Sequence, residues 1–267
     1  MVEVTDQIGN QIQVPKKVQR IISLVPSITE LLFDFGLHEE IVGVTKFCIH
    51  PGDKTHHKPK VGGTKKLDLD AIRKLEPELV IANKEENTKE QIEELQKELP
   101  VWVSDVNSIT QAMDMIDKLG AIVKKQKAAD IMMKRIDGEF DKLSQKPFEL
   151  KANKVAYLIW NKPYMVAGSN TFINDVIEKG GFENVFGGQE RYPEVTAKDL
   201  TDSKPDFVLL SSEPFPFDHT HFAEFREHCP DSKVFLVDGE MFSWYGSHLI
   251  KTPGYCLAFQ RSLNLLT

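Results

Sequence analysis

Four short stretches hold the side chains best suited to meeting a ligand: Phe47-Cys48-Ile49-His50, Trp160 with Tyr164, Phe215 with Phe217, and Phe242-Ser243-Trp244-Tyr245. Aromatic rings offer flat surfaces that stack on a large ligand at little cost in side-chain entropy, while a thiol and an imidazole can ligate a metal. That is the chemistry of holding a flat molecule. Bond-breaking signatures are missing: there is no G-x-x-x-x-G-K-[ST] phosphate loop, no G-x-G-x-x-G and no G-x-S-x-G nucleophile elbow. Carboxylates are plentiful, yet nothing in their spacing pairs them into an acid-base site, so an enzyme is the weaker reading. His56, His57, His219, His221 and His248 could add metal ligands, but no H-E-x-x-H or C-x-x-C spacing organises them. Cys48 and His50 remain the better candidates, with His50 the one residue proposed to touch a metal.

The elements that position these stretches are strands alternating with helices. Ile21-Ile22-Ser23-Leu24-Val25 is a short apolar run closed by Pro26, and Ser27-Ile28-Thr29-Glu30 has the form of a capping box opening a helix. Strands are predicted again at 41–45, 79–82 and 101–103, with helices at 69–75 and 89–98 between them. From Ser108 apolar residues recur at Ile109, Ala112, Ile116, Leu119 and Val123, and less cleanly through Ala129, Met132, Ile136, Phe140 and Leu143. That spacing predicts one helix of about 35 residues, roughly 50 Å long, which is more than a single crossover needs. The first pattern then returns: a strand at 154–160, Ser169-Asn170-Thr171 as helix caps, and strands at 207–210 and 234–238. Leu200 to Val208 repeats the order of Ile72 to Val80, an apolar residue five before proline, then an acid, then a strand. The expected fold is α/β, with two similar parallel-sheet lobes bridged by one long helix: 1–107, 108–146 and 147–267. In open parallel sheets ligands bind beyond the carboxyl ends of the strands, and the aromatic stretches fall there.

Composition narrows the partners. The chain has 267 residues, 41% hydrophobic and 27% charged, enough to bury two cores, and no apolar run reaches the roughly 20 residues of a membrane helix. Lys+Arg of 33 against Asp+Glu of 40 leaves a net charge of −7, without the basic footprint of a nucleic-acid binder. Three cysteines, Cys48, Cys229 and Cys256, are too few and odd in number for a disulfide framework. Residues 1–6 carry no secretory signal, so the chain as written stays in the cytoplasm unless such a signal preceded it.

Asp6-Gln7-Ile8-Gly9-Asn10, Arg20 to Glu30, Val42-Gly43-Val44-Thr45, Pro59 to Gly63, Leu75 to Val80, Gly168 to Asn184 and Tyr192-Pro193-Glu194-Val195 together resemble the class III, helical-backbone substrate-binding proteins of cobalamin and iron-siderophore ABC importers. Ser243-Trp244-Tyr245-Gly246 resembles the cobalamin branch. The resemblance implies a non-enzymatic, extracytoplasmic, monomeric receptor without a catalytic cofactor, holding a metal chelate in a cleft between two lobes and docking on an ABC permease. By position, Phe47 and His50 match the first-lobe ligand loop and Tyr192 a second-lobe aromatic; Trp160, Tyr164, Phe215, Cys48 and Trp244 complete the expected ligand set. Family receptors dock through an acidic residue at each lobe tip, whereas Pro59 or Lys60 and Lys198 stand there, with Glu194 or Asp199 as substitutes. An anionic siderophore would call for several arginines, and these loops carry only Arg191, which favours a largely neutral corrinoid. Haem, through His50, Tyr164 or His248, and a cytoplasmic corrinoid or metal-chelate handler using Cys48 or His50 are the alternatives.

Overall fold

A computed structural model describes residues 1–145 and 153–264. The chain divides into two units, the first made of Met1–Val106, Thr110–Arg135 and Tyr245–His248, the second of Asn107–Ile109, Ile136–Trp244 and Leu249–Thr267. The last of the four candidate stretches is divided between them: Trp244 belongs to the second unit and Tyr245 to the first. The expected boundary near 147 lies outside the described residues.

The first unit opens with an antiparallel hairpin, β1 (Val2–Thr5) and β2 (Gln11–Val14), whose turn is organised by Asp6. Its buried carboxylate accepts from the backbone of Ile8 (3.1 Å), Asn10 (2.7 Å) and Val103 (3.3 Å). The chain then runs through β3 (Ile21–Ser23), α1 (Pro26–Asp34), β4 (Ile41–Val44), α2 (Gly52–Thr55), α3 (Leu69–Lys74), β5 (Leu79–Asn83), α4 (Lys89–Gln96) and β6 (Val101–Ser104). The strands form an all-parallel sheet in the order β4-β3-β5-β6. Every residue of β3, β5 and β6 is buried, as a parallel sheet covered on both faces requires.

The Ser27 to Glu30 capping box is not used. Helix α1 begins at Pro26 with Val25 as its N-cap and no side-chain cap, because proline supplies helical φ and has no N–H to satisfy. Thr29 Oγ1 turns back to the Val25 carbonyl (2.9 Å), and Glu30 is drawn to His248 instead.

The periodic run from Ser108 resolves into two helices, α5 (Ile109–Ile122) and α6 (Gln126–Ser144). They break where Lys124 adopts φ +58°. Gly120 permits their close approach, since a Cβ there would lie 2.5 Å from that of Ala129. The long helix is α6, at 19 residues, and it starts in the first unit and ends in the second. Among the described residues no helix is long and apolar enough to cross a membrane.

The second unit contains β7 (Lys154–Trp160), β8 (Tyr164–Val166), α7 (Phe172–Lys179), β9 (Glu183–Asn184), β10 (Glu194–Val195), α8 (Ala197–Ser203), β11 (Phe207–Ser211), α9 (Phe222–His228), β12 (Lys233–Val237), α10 (Glu240–Ser243) and α11 (Thr252–Asn264). Strands β9, β7, β11 and β12 pair in parallel, and β8 and β10 extend the sheet antiparallel. Thr171 caps α7 as its sequence predicts, accepting from the Asn174 amide at 3.1 Å. The repeat seen in sequence is structural: Ile72 on α3 and Leu200 on α8 are each fully buried, one helix before the completely buried strands β5 and β11.

Replacing Gly120 by valine forces α5 and α6 apart, and chemical denaturation should register a loss of about 1–3 kcal/mol. An unchanged midpoint would show that the two helices do not depend on this contact.

Candidate functional site

Each fully buried parallel strand closes on a polar residue, and three of the four bond into the loop beyond. Ser23, Asn83, Ser104 and Ser211 are the last residues of β3, β5, β6 and β11, and all are buried. Asn83 donates to the Ser104 hydroxyl (3.0 Å) and accepts from the amides of Glu85 (2.8 Å) and Glu86 (3.0 Å). Ser211 Oγ accepts from Tyr157 (3.1 Å) and donates to the Glu213 carbonyl (2.5 Å). Backbone groups that leave the ladder are thus satisfied at once, and the loops begin in fixed directions.

In the first unit the β4 loop presents Phe47, 50% exposed, and Ile49, 53% exposed. Phe47 lies against Gly63, where an added Cβ would sit 3.1 Å from its ring. Lys46 Nζ is 5.0 Å from the centre of the same ring. His50 is half-buried, its ring 6.4 Å from that of His248. His248 Nδ1 is 2.7 Å from Glu30 Oε2, both residues buried, so the carboxylate fixes the orientation of that imidazole. Cys48 is not available where sequence placed it. Its side chain is buried, the sulfur 3.1 Å from Thr29 Oγ1 and 3.2 Å from Thr45 Oγ1, and burial pushes the thiol up from its ordinary value. The sulfur is enclosed between Thr29 of α1 and Thr45 at the start of the β4 loop.

In the second unit Trp160, 41% exposed, ends β7 and meets Phe215 edge to face at 5.6 Å; Phe215 in turn lies 4.7 Å from Phe217. Tyr164 is half-buried, and its hydroxyl donates to Glu224 and lies 3.1 Å from His228 Nε2. Burial, and then the Glu224 carboxylate, raise its pKa, so the phenol holds its proton and is committed within its own unit. Tyr192 is half-buried beneath the Arg191 guanidinium, 5.6 Å from its ring centre. Arg191 also reaches Asn107 Oδ1 (2.7 Å) and the Asn170 carbonyl (2.6 Å). Trp244 is buried, its Nε1 donating to Glu213 Oε1 at 2.9 Å, an oxygen that also accepts from Ser243 at 2.6 Å. Glu213 was not singled out from sequence; the signal was an acid just past a strand ending in two serines. Its pKa is raised by burial against the lowering effect of the Ser243 bond.

Of the residues at the expected docking positions, Lys60 donates to the Thr55 carbonyl at 2.8 Å and Lys198 pairs with Asp202. Asp199 is spent as the second half of the α8 capping box with Thr196, whose hydroxyl and amide hold its carboxyl below the ordinary range. Glu194 is exposed on β10. Among the described residues no three of His, Cys, Asp and Glu converge as a metal site.

The fold has counterparts among known proteins. The sequence profile described as Periplasmic binding protein matches residues 21–228. The chain belongs to the periplasmic binding protein family. The vitamin B12-binding protein of Vibrio parahaemolyticus is 26% identical over 219 residues, 80% of this chain and 78% of that protein. The solved periplasmic vitamin B12 binding protein of Vibrio cholerae superposes with a TM-score of 0.78 at 18% identity, covering 94% of this chain and 99% of the other. A periplasmic haem-binding protein of Pseudomonas aeruginosa gives 0.77 at 20% identity, covering 92% and 94%. The family is one of binding proteins, and its fold is the two-lobed α/β architecture anticipated from sequence.

Because the folded pKa of Glu213 lies above the unfolded value near 4.5, the native state holds more protons across that window and loses stability as pH rises through it. Glu213→Gln removes this loss, so its stability relative to the parent should rise with pH between 4.5 and the raised pKa and then level off. Parallel denaturation curves at every pH would contradict the raised value. Cys48 should resist alkylation in the native protein and react on unfolding; rapid native labelling would contradict its burial.

Proposed function

We propose that this chain is the extracytoplasmic, monomeric substrate receptor of an ABC importer and that its cargo is cobalamin or a related corrinoid. The observation that carries the reading is the pair of exposed aromatic platforms, Phe47 and Trp160, each at the carboxyl end of a parallel strand in its own unit. Large exposed rings in loops normally cost solvation, and their placement where open parallel sheets bind ligands gives them a purpose. Relatives named as vitamin B12-binding proteins, matched over about four fifths of both chains, support a corrinoid. Phe47, Trp160, Phe215 and Tyr192 would contact the macrocycle. Trp244 would act as a buried backing that Glu213 holds in place.

Haem is the second reading, favoured by one feature. His50 is half-exposed beside a His248 that Glu30 already orients, an arrangement suited to an imidazole approaching a metal from one side. Tyr164 fits that role poorly, since its hydroxyl is bound to Glu224.

Tryptophan fluorescence titrated with cyanocobalamin should quench saturably, and Phe47→Ala or Trp160→Phe should each weaken binding by about tenfold, a loss of roughly 1.4 kcal/mol. With aquocobalamin a change in the corrinoid absorption bands, lost in His50→Ala, would establish direct ligation. No quenching by cobalamins alongside a haem Soret shift would transfer the assignment to haem.

A further inference from the structure

In the second unit a phenol, a carboxylate and an imidazole come together: Tyr164, Glu224 and His228. Tyr164 opens β8, while Glu224 and His228 stand four residues apart on α9, so both side chains leave the same face of that helix. The Tyr164 hydroxyl donates to Glu224 Oε1 and lies 3.1 Å from His228 Nε2. Because the phenol proton goes to the carboxylate, Nε2 is the donor in the second contact. All three residues are half-buried, walled by protein yet reachable from solvent. The receptor reading does not use them, since its macrocycle contacts are Phe47, Trp160, Phe215 and Tyr192.

The cluster is preorganised by its surroundings. The Tyr164 ring lies 5.4 Å from that of Phe225, a fully buried core residue, and meets the His228 ring edge to face at 5.8 Å. Thr201 Oγ1 on α8 donates to the His228 carbonyl at 2.7 Å and anchors the end of α9. Metal bonds of about 2.0–2.2 Å set neighbouring ligand atoms roughly 3 Å apart, which is the spacing that the phenol oxygen keeps from His228 Nε2. Two donors four residues apart on one helix with a third from another element is a common way to assemble such a site. One cation stands by: Lys162 Nζ is 3.9 Å from Glu224 Oε1, but its side chain is 75% exposed and can swing clear.

We propose that Tyr164, Glu224 and His228 form a binding site for a ferric ion, with donors distinct from the macrocycle contacts. Loading displaces one proton and changes no oxidation state. The phenol O–H bond breaks, its proton leaves to solvent and the oxygen bonds to iron. Glu224 exchanges its hydrogen bond for a bond to the metal. His228 moves its ring proton from Nε2 to Nδ1, so that the Nε2 lone pair meets the ion. Two anionic oxygens then compensate two of the three positive charges, and solvent water or hydroxide completes the coordination from the open side. Oxygen donors suit a hard, highly charged ion, and imidazole is compatible with iron. The site is independent of the cargo reading and stands whether the chain carries a corrinoid or haem.

The test titrates the intact chain, free of any tetrapyrrole, with ferric nitrilotriacetate. A phenolate-to-iron charge-transfer band should grow in the visible spectrum and saturate at one equivalent, and the iron should stay with the protein through desalting. Tyr164→Phe keeps a ring against Phe225 and should abolish the band. Glu224→Gln and His228→Gln should each weaken iron retention by roughly tenfold or more, and Lys162→Gln should strengthen it by about two- to fivefold. Should Tyr164→Phe fail to fold, resonance Raman spectra of the unsubstituted chain, excited within the band, decide the matter by showing phenolate modes. No band at stoichiometric iron, a band that survives Tyr164→Phe, or a band without phenolate modes would overturn the proposal and reduce the cluster to a packing network.

Discussion

Where a buried parallel strand ends, its last amides and carbonyls lose the ladder while still surrounded by protein, and that constraint shapes everything functional here. The chain meets it by ending β3, β5, β6 and β11 on Ser23, Asn83, Ser104 and Ser211, whose side chains take over the hydrogen bonding. Asn83 alone serves the Ser104 hydroxyl and the amides of Glu85 and Glu86. Loops anchored in this way leave the sheet in set directions, and rings carried on them are preorganised rather than mobile. The carboxyl ends of a parallel sheet lie on one side, so the platforms of each unit gather there.

The second unit applies the same device with a half-buried acid. Ser211 binds the backbone at Glu213, and the Glu213 carboxylate binds both Ser243 and Trp244. A charged group half-removed from water is costly unless hydrogen-bonded, so Ser243 and Trp244 are constrained by the need to satisfy it. A single carboxylate thus links the loop after β11 to the end of α10.

Much of the architecture was legible because burial imposes composition. Strand β7 has the bounds that its apolar run predicts, and β4, β5, β6 and β12 fall within a residue of theirs. Helix starts were harder: Pro26 displaced the capping box at Ser27, a local competition that pattern alone does not rank. The predicted single helix from Ser108 failed for a similar reason, since Lys124 in a left-handed conformation and Gly120 at a close crossing interrupt a hydrophobic period that reads as continuous.

Of the candidate site, the exposed residues were the legible part. Phe47 and Trp160 are where strand-end reasoning put them, whereas Cys48 is turned inward by Thr29 and Thr45, a three-dimensional fact with no local signature. Glu213 escapes sequence reasoning because its partners, Ser243 and Trp244, lie some 30 residues downstream and nothing local marks the contact. The central claim, that these platforms hold a flat metal macrocycle, is tested most directly by isothermal titration calorimetry of the intact chain with cyanocobalamin and haemin at several temperatures. One-to-one saturable binding of either, with the negative heat-capacity change of buried apolar surface, is the predicted result. Folded protein that takes up neither macrocycle, with no heat beyond dilution at any temperature, would contradict it.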